Sequence, residues 1–244
     1  MSNKIREISW KELRRRKETT DTVIIPTGSV EVYGPHMPMG TDGIVAGEIA
    51  ELVAERTGAL IAPTIELGES MALASFPETF PMKRVILEQY LDNLFAMLLA
   101  YGFKNFLFIT GHAGNVDTVS YLCKKYMEMH NEIHCGQIDW WRFTGANGDD
   151  IFDNKGPMAH GHASECGTSV MLYLRPELVH MEDASCVQSG PASQFPDIIQ
   201  YSRFIDRTHN GTIGDATAAS AEKGEKIVKR CVDKIVAFMS CEFK

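Results

Sequence analysis

The chain has 244 residues, of which 44% are hydrophobic and 23% are charged, and its formal net charge is −8. This length and composition suit one domain, residues 1–244, with a substantial core. The negative charge argues against a nucleic-acid partner, because binding phosphates requires a basic surface. No apolar leader follows the first residues and no uncharged apolar run reaches the ~18 residues of a membrane span, so we expect a cytoplasmic chain without a membrane partner.

The first half of the chain alternates short β-rich runs with longer helical patterns, which indicates an α/β fold. Residues 22–26 are β-branched and apolar and predict a buried strand that enters a Gly-Ser turn. A helix is expected from residue 42 to about residue 56, and a second strand over residues 60–62. Leucines at helical spacing predict the clearest helix over residues 82–101.

The second half continues the same alternation. Residues 105–110 carry no charge and predict a strand that runs straight into Gly-His-Ala-Gly-Asn and a following helix. Residues 145–160 are rich in Gly, Asn and Asp and predict a long surface loop. Three further elements are expected: a strand over residues 133–139 and helices over residues 164–174 and 218–239.

Three polar clusters follow predicted strands or precede predicted helices, which is where α/β proteins place their sites. The first cluster occupies the Gly- and Pro-rich loop of residues 28–42, the second follows the strand that ends at residue 110, and the third opens the helix of residues 164–174. Their side chains are Glu31, Tyr33, His36, Asp42, His112, His160, His162 and Glu165.

Carboxylates and imidazoles that converge from separate loops are the ligands that a divalent cation needs. Zinc takes His nitrogen and carboxylate oxygen and leaves one position open for water at catalytic sites. Manganese favours the more oxygen-rich version of the same set. Such a metal acidifies bound water and polarises a carbonyl, and a nearby histidine can then move protons.

Each of these residues also has a simpler interpretation. Asp42 can cap a helix, His112 can satisfy a buried turn, and His160 can be an ordinary loop residue. Only the occurrence of three clusters at comparable positions favours a site. A cysteine nucleophile at Cys166 is conceivable, but free cysteines usually pack as small apolar groups. No serine-hydrolase elbow, phosphate-binding loop or dinucleotide-binding turn is present.

Five ordered motifs in the chain resemble those of the creatininase (creatinine amidohydrolase) family. They are Pro-x-Gly-Ser-x-Glu ending at Glu31, Gly-Pro-His-x-Pro-x-x-x-Asp ending at Asp42, Gly-His-x-Gly-Asn ending at Asn115, His-Ala-x-Glu-x-x-Thr-Ser starting at His162, and Gly214-Asp215 with the helix after it. The resemblance implies a three-layer α/β/α fold with a mainly parallel sheet, homo-oligomers that are often hexamers, and a metal site that opens cyclic amides or related bonds.

The resemblance also implies roles for single residues. Glu31, Asp42 and His112 fall on the ligands of the family's first metal, and Asp42 falls on the carboxylate that bridges to a second. His162 falls on the family's catalytic histidine, for which we expect a proton-shuttle role.

Three positions depart from the family pattern. Tyr33 replaces a histidine ligand of the second metal, Gly114 replaces a glutamate ligand, and Gly167 replaces a frequent glutamate. Either one metal suffices, or His36 and Glu165 rebuild the second site. We expect one firmly held Zn or Mn ion, with Tyr33 hydrogen-bonded to the substrate or to metal-bound water, since a neutral phenol is a poor ligand.

The substrate pocket is expected to include His36, Glu78 and Trp140. Glu78 lies in Phe-Pro-Glu-Thr-Phe, which resembles a family pocket segment that usually has Gly at this position. Trp140 and Trp141 follow a predicted strand and either wall the pocket or pack in the core or an interface.

Three functions follow as alternatives. The first is hydrolysis of a C–N bond in a small cyclic amide or amidine-like molecule. The second is ring opening of a keto-cyclitol (an inosose) by C–C hydrolysis. The third is a non-catalytic binder of a small molecule.

Overall fold

The computed structural model describes residues 2–188, 190, 194–195 and 197–243. In these residues the helices and strands alternate much as the sequence predicts. In chain order they are α1 (Trp10–Lys17), β1 (Thr22–Thr27), α2 (Thr41–Thr57), β2 (Leu60–Ile61), α3 (Arg84–Ala100), β3 (Asn105–Thr110), α4 (Val116–Met129), β4 (His134–Asp139), α5 (Trp140–Asn147), α6 (Pro157–His160), α7 (Glu165–Leu174), β5 (Cys186–Val187), β6 (Gly214–Asp215) and α8 (Ala221–Glu242).

The central sheet contains four parallel strands in the order β2-β1-β3-β4. Strands β1 and β3 read as continuous apolar runs because parallel strands are covered on both faces. A separate antiparallel pair, β5 and β6, lies outside this sheet.

Side chains of the sheet alternate between two hydrophobic layers. Val23 and Ile25 point to one face, where they belong to a cluster that includes residues of α3 and α4, and Ile24 points to the other, with residues of α2, α7 and α8. This alternation follows from the two-residue period of a strand. The three-layer α/β/α architecture expected from the resemblance is therefore confirmed.

The carboxyl ends of β1, β3 and β4 meet at one edge of the sheet, since Thr27 pairs with Thr110 and Thr110 pairs with Asp139. The segments that follow these strands therefore emerge side by side. Two glycines allow a close approach here: a Cβ on Gly28 would lie 2.2 Å from the Gly43 nitrogen, and one on Gly111 would lie 2.2 Å from the Asp42 carbonyl oxygen. Only glycine lets both turns contact the start of α2 at backbone distance.

The prediction of a long loop over residues 145–160 is wrong at both ends of this range. Helix α5 extends to Asn147, and α6 occupies Pro157–His160. Proline at the first position of a helix loses no hydrogen bond and has a suitable φ angle, so Pro157 favours the start of α6. In the part of the chain that the structure describes, no helix has the length and apolarity needed to cross a membrane.

Candidate metal centre

Glu31, Asp42 and His112 meet at the carboxyl edge of the sheet. One ligand atom from each lies within 4.8 Å of the other two. The Nδ1 atom of His112 is 3.0 Å from Glu31 Oε2 and 3.0 Å from Asp42 Oδ2. The side chains come from the loop after β1, the first turn of α2 and the turn after β3, and the residues are only 2%, 2% and 5% exposed.

Because the three side chains are buried close together, burial and mutual charge shift the pKa of each one. Burial and the nearby charge of Glu31 raise the pKa of Asp42 to about 7. Burial alone would raise the pKa of Glu31, but its contact with His112 lowers it. Burial would lower the pKa of His112, but its bonds to Asp42 and Glu31 outweigh that effect and raise it well above its usual value. Without a cation this cluster holds protons, on His112 and on Asp42, and a divalent cation can take their place.

The donor set fits a divalent cation better than it fits a proton. Without a metal the protonated ring has one hydrogen on Nδ1, and Asp42 accepts it, so the buried Glu31 Oε2 is left without a hydrogen-bond partner. The other ring nitrogen, Nε2, lies 2.9 Å from the carbonyl oxygen of Glu69, which can only accept, so Nε2 carries the hydrogen. When a cation replaces the hydrogen on Nδ1, neutral His112 directs its Nδ1 lone pair at that cation with the two acids beside it, which is a ligand set that Zn or Mn takes.

His162 and Tyr33 lie beside the cluster with their rings 4.4 Å apart. The Nε2 atom of His162 is 2.8 Å from the carbonyl oxygen of Val32 and must donate to it, which leaves Nδ1 free to accept a proton. Burial lowers the pKa of His162, so the ring is neutral near pH 7. Burial, followed by the charges of Asp42 and Glu31, raises the pKa of Tyr33, so its phenol keeps its hydrogen.

A cavity of about 240 Å³ opens onto the three ligands. Its walls also include apolar and ring side chains from the turn after residue 70, from α5 and from α6. The lining residues are Glu31, Tyr33, Asp42, Leu73, Gly111, His112, Ala113, Trp141, His160, Gly161 and His162.

A sequence profile of the creatininase family, described as creatinine amidohydrolase, matches residues 6–239. The chain belongs to the creatininase family. Its family, together with the buried group of possible metal ligands at the base of a cavity, identifies this chain as a metal-dependent hydrolase.

Curated relatives of this creatininase-family chain are hydrolases with different substrates. The mycofactocin precursor peptide peptidase of Mycolicibacterium smegmatis is 27% identical, over 87% of this chain and 83% of its own length. The creatinine amidohydrolase of Pseudomonas putida is 29% identical, over 97% and 96%. The 3-dehydro-scyllo-inosose hydrolase of Thermotoga maritima is 28% identical, over 93% and 79%.

Solved creatininase structures share the fold. A creatininase variant of the Zn-Zn type superimposes with a TM-score of 0.84 at 24% identity and covers 98% of both chains. The manganese form of creatininase gives the same TM-score, identity and coverage. At this level of identity the likeness establishes the architecture, with a mainly parallel sheet between helices.

The structure does not bring Glu165 to the three ligands. Its two carboxylate oxygens accept hydrogen bonds from the backbone of Asp153 and from Asn154, and Lys223 Nζ lies 2.6 Å away. The buried carboxylate thus neutralises a lysine of α8 at the first turn of α7. The ligand role that we expected for Glu165 gains no support from this geometry.

The neighbouring Cys166 is buried in the hydrophobic core at the start of α7. Burial raises the pKa of its thiol to about 12. A thiol with this pKa stays protonated near pH 7 and is a poor nucleophile, so the cysteine alternative is not supported.

His36 is fully buried but does not line the cavity. Its Nε2 atom is 2.8 Å from the hydroxyl of Thr168, on the inner face of α7. Burial lowers the pKa of His36 to about 4, so the ring is neutral and structural near pH 7. The geometry therefore gives His36 a packing role in place of the expected substrate contact.

Glu78 and Trp140 also lie away from the cavity lining. Glu78 is exposed to solvent, and Trp140 is buried in the core at the first turn of α5. The next residue, Trp141, lines the cavity, as does His160, for which a place in an ordinary loop was the simpler expectation. The pair Trp140-Trp141 did indicate a tryptophan at the cavity, but not which of the two. Consecutive residues of a helix point about 100° apart, so only one of them can face the cavity.

The ligand cluster predicts that metal content depends on its three members and not on Glu165. We expect wild-type protein purified without chelators to hold close to one Zn or Mn ion per chain. Glu31→Gln and His112→Ala should each lose most of it, because each removes a ligand. Glu165→Gln serves as the matched control, with its metal retained. Elemental analysis by mass spectrometry measures all four proteins, and full metal content in His112→Ala would show that the assignment is wrong.

The buried neutral state of His36 predicts a specific pH dependence of stability. The unfolded state takes up a proton on this histidine below about pH 6.5, whereas the folded state does so only near pH 4. The free energy of unfolding should therefore fall as the pH drops from 6.5 to 4, by up to about 3 kcal/mol from this residue.

Denaturant titrations of wild type and His36→Gln between pH 4 and 7 measure this contribution. The variant should lose less stability on acidification than wild type does. His134→Gln, which changes an exposed histidine at the start of β4, should behave as wild type does. Parallel pH profiles for wild type and His36→Gln would contradict the prediction.

Proposed function

We propose that this chain hydrolyses a C–N bond of a small cyclic amide or amidine-like molecule with the help of one Zn or Mn ion. The observation that carries the proposal is the buried group of two carboxylates and one imidazole at the base of a small cavity. When bound by Glu31, Asp42 and His112, the cation supplies a Lewis acid for the scissile carbonyl and for water.

His162 is suited to move the proton of this reaction. Its Nε2–H is fixed on the Val32 carbonyl and its Nδ1 is unprotonated, so it can take a proton from the attacking water. The hydroxyl group adds to the carbonyl carbon, the C–N bond breaks, and His162 returns the proton to the leaving nitrogen. Packing against Tyr33 and the edge of Phe204 holds the ring in place.

Tyr33 is suited to donate a hydrogen bond at the same place. Its phenol remains protonated beside Asp42 and lines the cavity. A substrate oxygen that becomes more negative in the transition state is the acceptor that such a donor favours.

A single cation per chain is part of this proposal. His36 is hydrogen-bonded to Thr168 and Glu165 is paired with Lys223, so neither residue that we considered for a second site is free for it. The protonated phenol of Tyr33 is a weak ligand. At Gly114, a Cβ would lie 1.8 Å from the carbonyl oxygen of Glu69, which leaves no room for a ligand side chain.

Two other substrate classes are alternatives to the cyclic amide, because relatives are named for them. One relative is named an inosose hydrolase, which supports C–C ring opening as a second candidate. Other relatives are named peptide peptidases, which cleave the same type of C–N bond in a larger molecule.

An assembly of identical chains in the cytoplasm, a hexamer by the family resemblance, belongs to the same proposal. Large apolar side chains on the outer surface of α3 support an interface there: Val85, Ile86, Tyr90 and Met97 are all exposed. Light scattering of the purified protein gives the number of chains, and a monomer at micromolar concentration would contradict this part.

A substrate panel combined with one variant tests the activity. Metal-loaded protein is offered cyclic amides and amidines, keto-inositols and short peptides, and the readouts are amine release, acid release and new amino termini. We expect turnover in the first class. His162→Ala should retain its metal and lose at least about 100-fold in kcat, because it removes the proton carrier.

The control for this experiment is His180→Ala, which changes an exposed histidine outside the cavity. It should keep both metal and activity. Wild-type activity in His162→Ala would exclude the shuttle role, and turnover only of keto-inositols or peptides would replace the first candidate with the matching alternative.

A further inference from the structure

Asn115 is a buried residue that connects two of the segments around the metal centre. It is 0% exposed and does not line the cavity. Its Oδ1 atom accepts a hydrogen bond of 3.0 Å from the backbone nitrogen of Glu69, and its Nδ2 atom donates one of 2.9 Å to the carbonyl oxygen of Gly28. The amide thus joins the turn that leads to Glu31 with the segment that faces His112.

Asn115 holds Glu69 by its N–H, and the carbonyl of the same residue contacts His112. The carbonyl oxygen of Glu69 lies 2.9 Å from His112 Nε2 and can only accept a hydrogen bond. Nε2 is therefore the nitrogen that carries the hydrogen in neutral His112. The lone pair of Nδ1 then points at the oxygens of Glu31 and Asp42, each 3.0 Å away.

Two glycines permit this contact between segments. A Cβ on Gly114 would lie 1.8 Å from the Glu69 carbonyl oxygen, and a Cβ on Gly68 would lie 2.8 Å from Asn115 Oδ1. A side chain at Gly114 would displace the Glu69 carbonyl from His112, and one at Gly68 would clash with the Asn115 amide and with the Gly28 carbonyl that it bonds. The absence of side chains at Gly68 and Gly114 thus lets the Glu69 backbone contact the imidazole of His112.

We propose that Asn115 is a positioning residue for the metal centre: it holds Glu69 by its N–H and thereby places the Glu69 carbonyl against His112 Nε2, so that Nδ1 is presented to the cation. The inference rests on the proposed metal-dependent function. Partners of this kind, which bind the ligand and not the metal, typically contribute 10- to 100-fold to metal affinity.

Zinc affinity and the ring proton of His112 together test this role. Zn²⁺ is titrated into metal-free wild type, Asn115→Ala and Asn115→Asp in competition with a chelator. The zinc-loaded proteins are then compared by ¹H–¹⁵N NMR of the histidine rings. Asn115→Ala should raise the Kd for Zn²⁺ by roughly 10- to 100-fold and weaken or remove the signal of the His112 Nε2–H.

Asn115→Asp is the conservative variant. It keeps the shape and the acceptor for the Glu69 N–H but loses the donor to Gly28. It should therefore retain the ring-proton signal, with a smaller loss of affinity than Asn115→Ala. It also keeps the test decisive if Asn115→Ala fails to fold.

Asn105→Ala is the matched control, because Asn105 is another buried asparagine whose amide bonds to Asp21 and Thr22 at the amino end of β3. It removes comparable hydrogen bonds and should leave the Kd for Zn²⁺ within a few-fold of wild type. If folded Asn115 variants bind Zn²⁺ as wild type does, or keep the His112 proton unchanged in Asn115→Ala, the positioning role is wrong. If wild type itself binds no Zn²⁺, the proposed function fails and this inference with it.

Discussion

Two buried carboxylates beside one imidazole nitrogen are the constraint on which the rest of this structure depends. Glu31 and Asp42 repel each other where water cannot screen them, so either protons or a cation must offset their charge. Holding two acids in this position requires a rigid frame. The parallel pairing of β1 with β3 supplies it, because the register of Thr27 with Thr110 brings both loops out at one edge. Gly111 then allows the turn that carries His112 to touch the backbone of Asp42.

The same constraint explains why much of the fold and the centre of the site could be predicted from the sequence. Strands β1 and β3 are continuous apolar runs, and each is followed at once by polar residues. This is a local signal, since the ends of parallel strands meet at one edge whatever the partners are. Glu31, Asp42 and His112 each lie within a few residues of a strand end or a helix start. Their convergence followed from topology.

The remaining residues could not be predicted because their partners are distant in sequence. The sequence around Glu165 is typical of a ligand, but in the structure Glu165 pairs with Lys223 of the last helix. His36 lies in a polar loop of the sequence, but in the structure it packs against Thr168 of α7. No local pattern encodes such pairs. Trp140 differs from the cavity residue Trp141 by one step along α5, and the phase of a helix only two turns long is not fixed by its sequence.

Under the proposed function, substrate choice depends on the cavity wall around the three ligand side chains. The relatives of this chain are named as a creatinine amidohydrolase, an inosose hydrolase and a precursor peptide peptidase. The ligand side chains leave little room for variation, because each one is buried. The cavity wall is freer: Tyr33 presents a protonated phenol, and the ring nitrogens Trp141 Nε1 and His160 Nδ1 are buried without hydrogen-bond partners within the described residues. A bound molecule that satisfies these groups gains selectivity, because unpaired polar atoms penalise any competitor that cannot reach them.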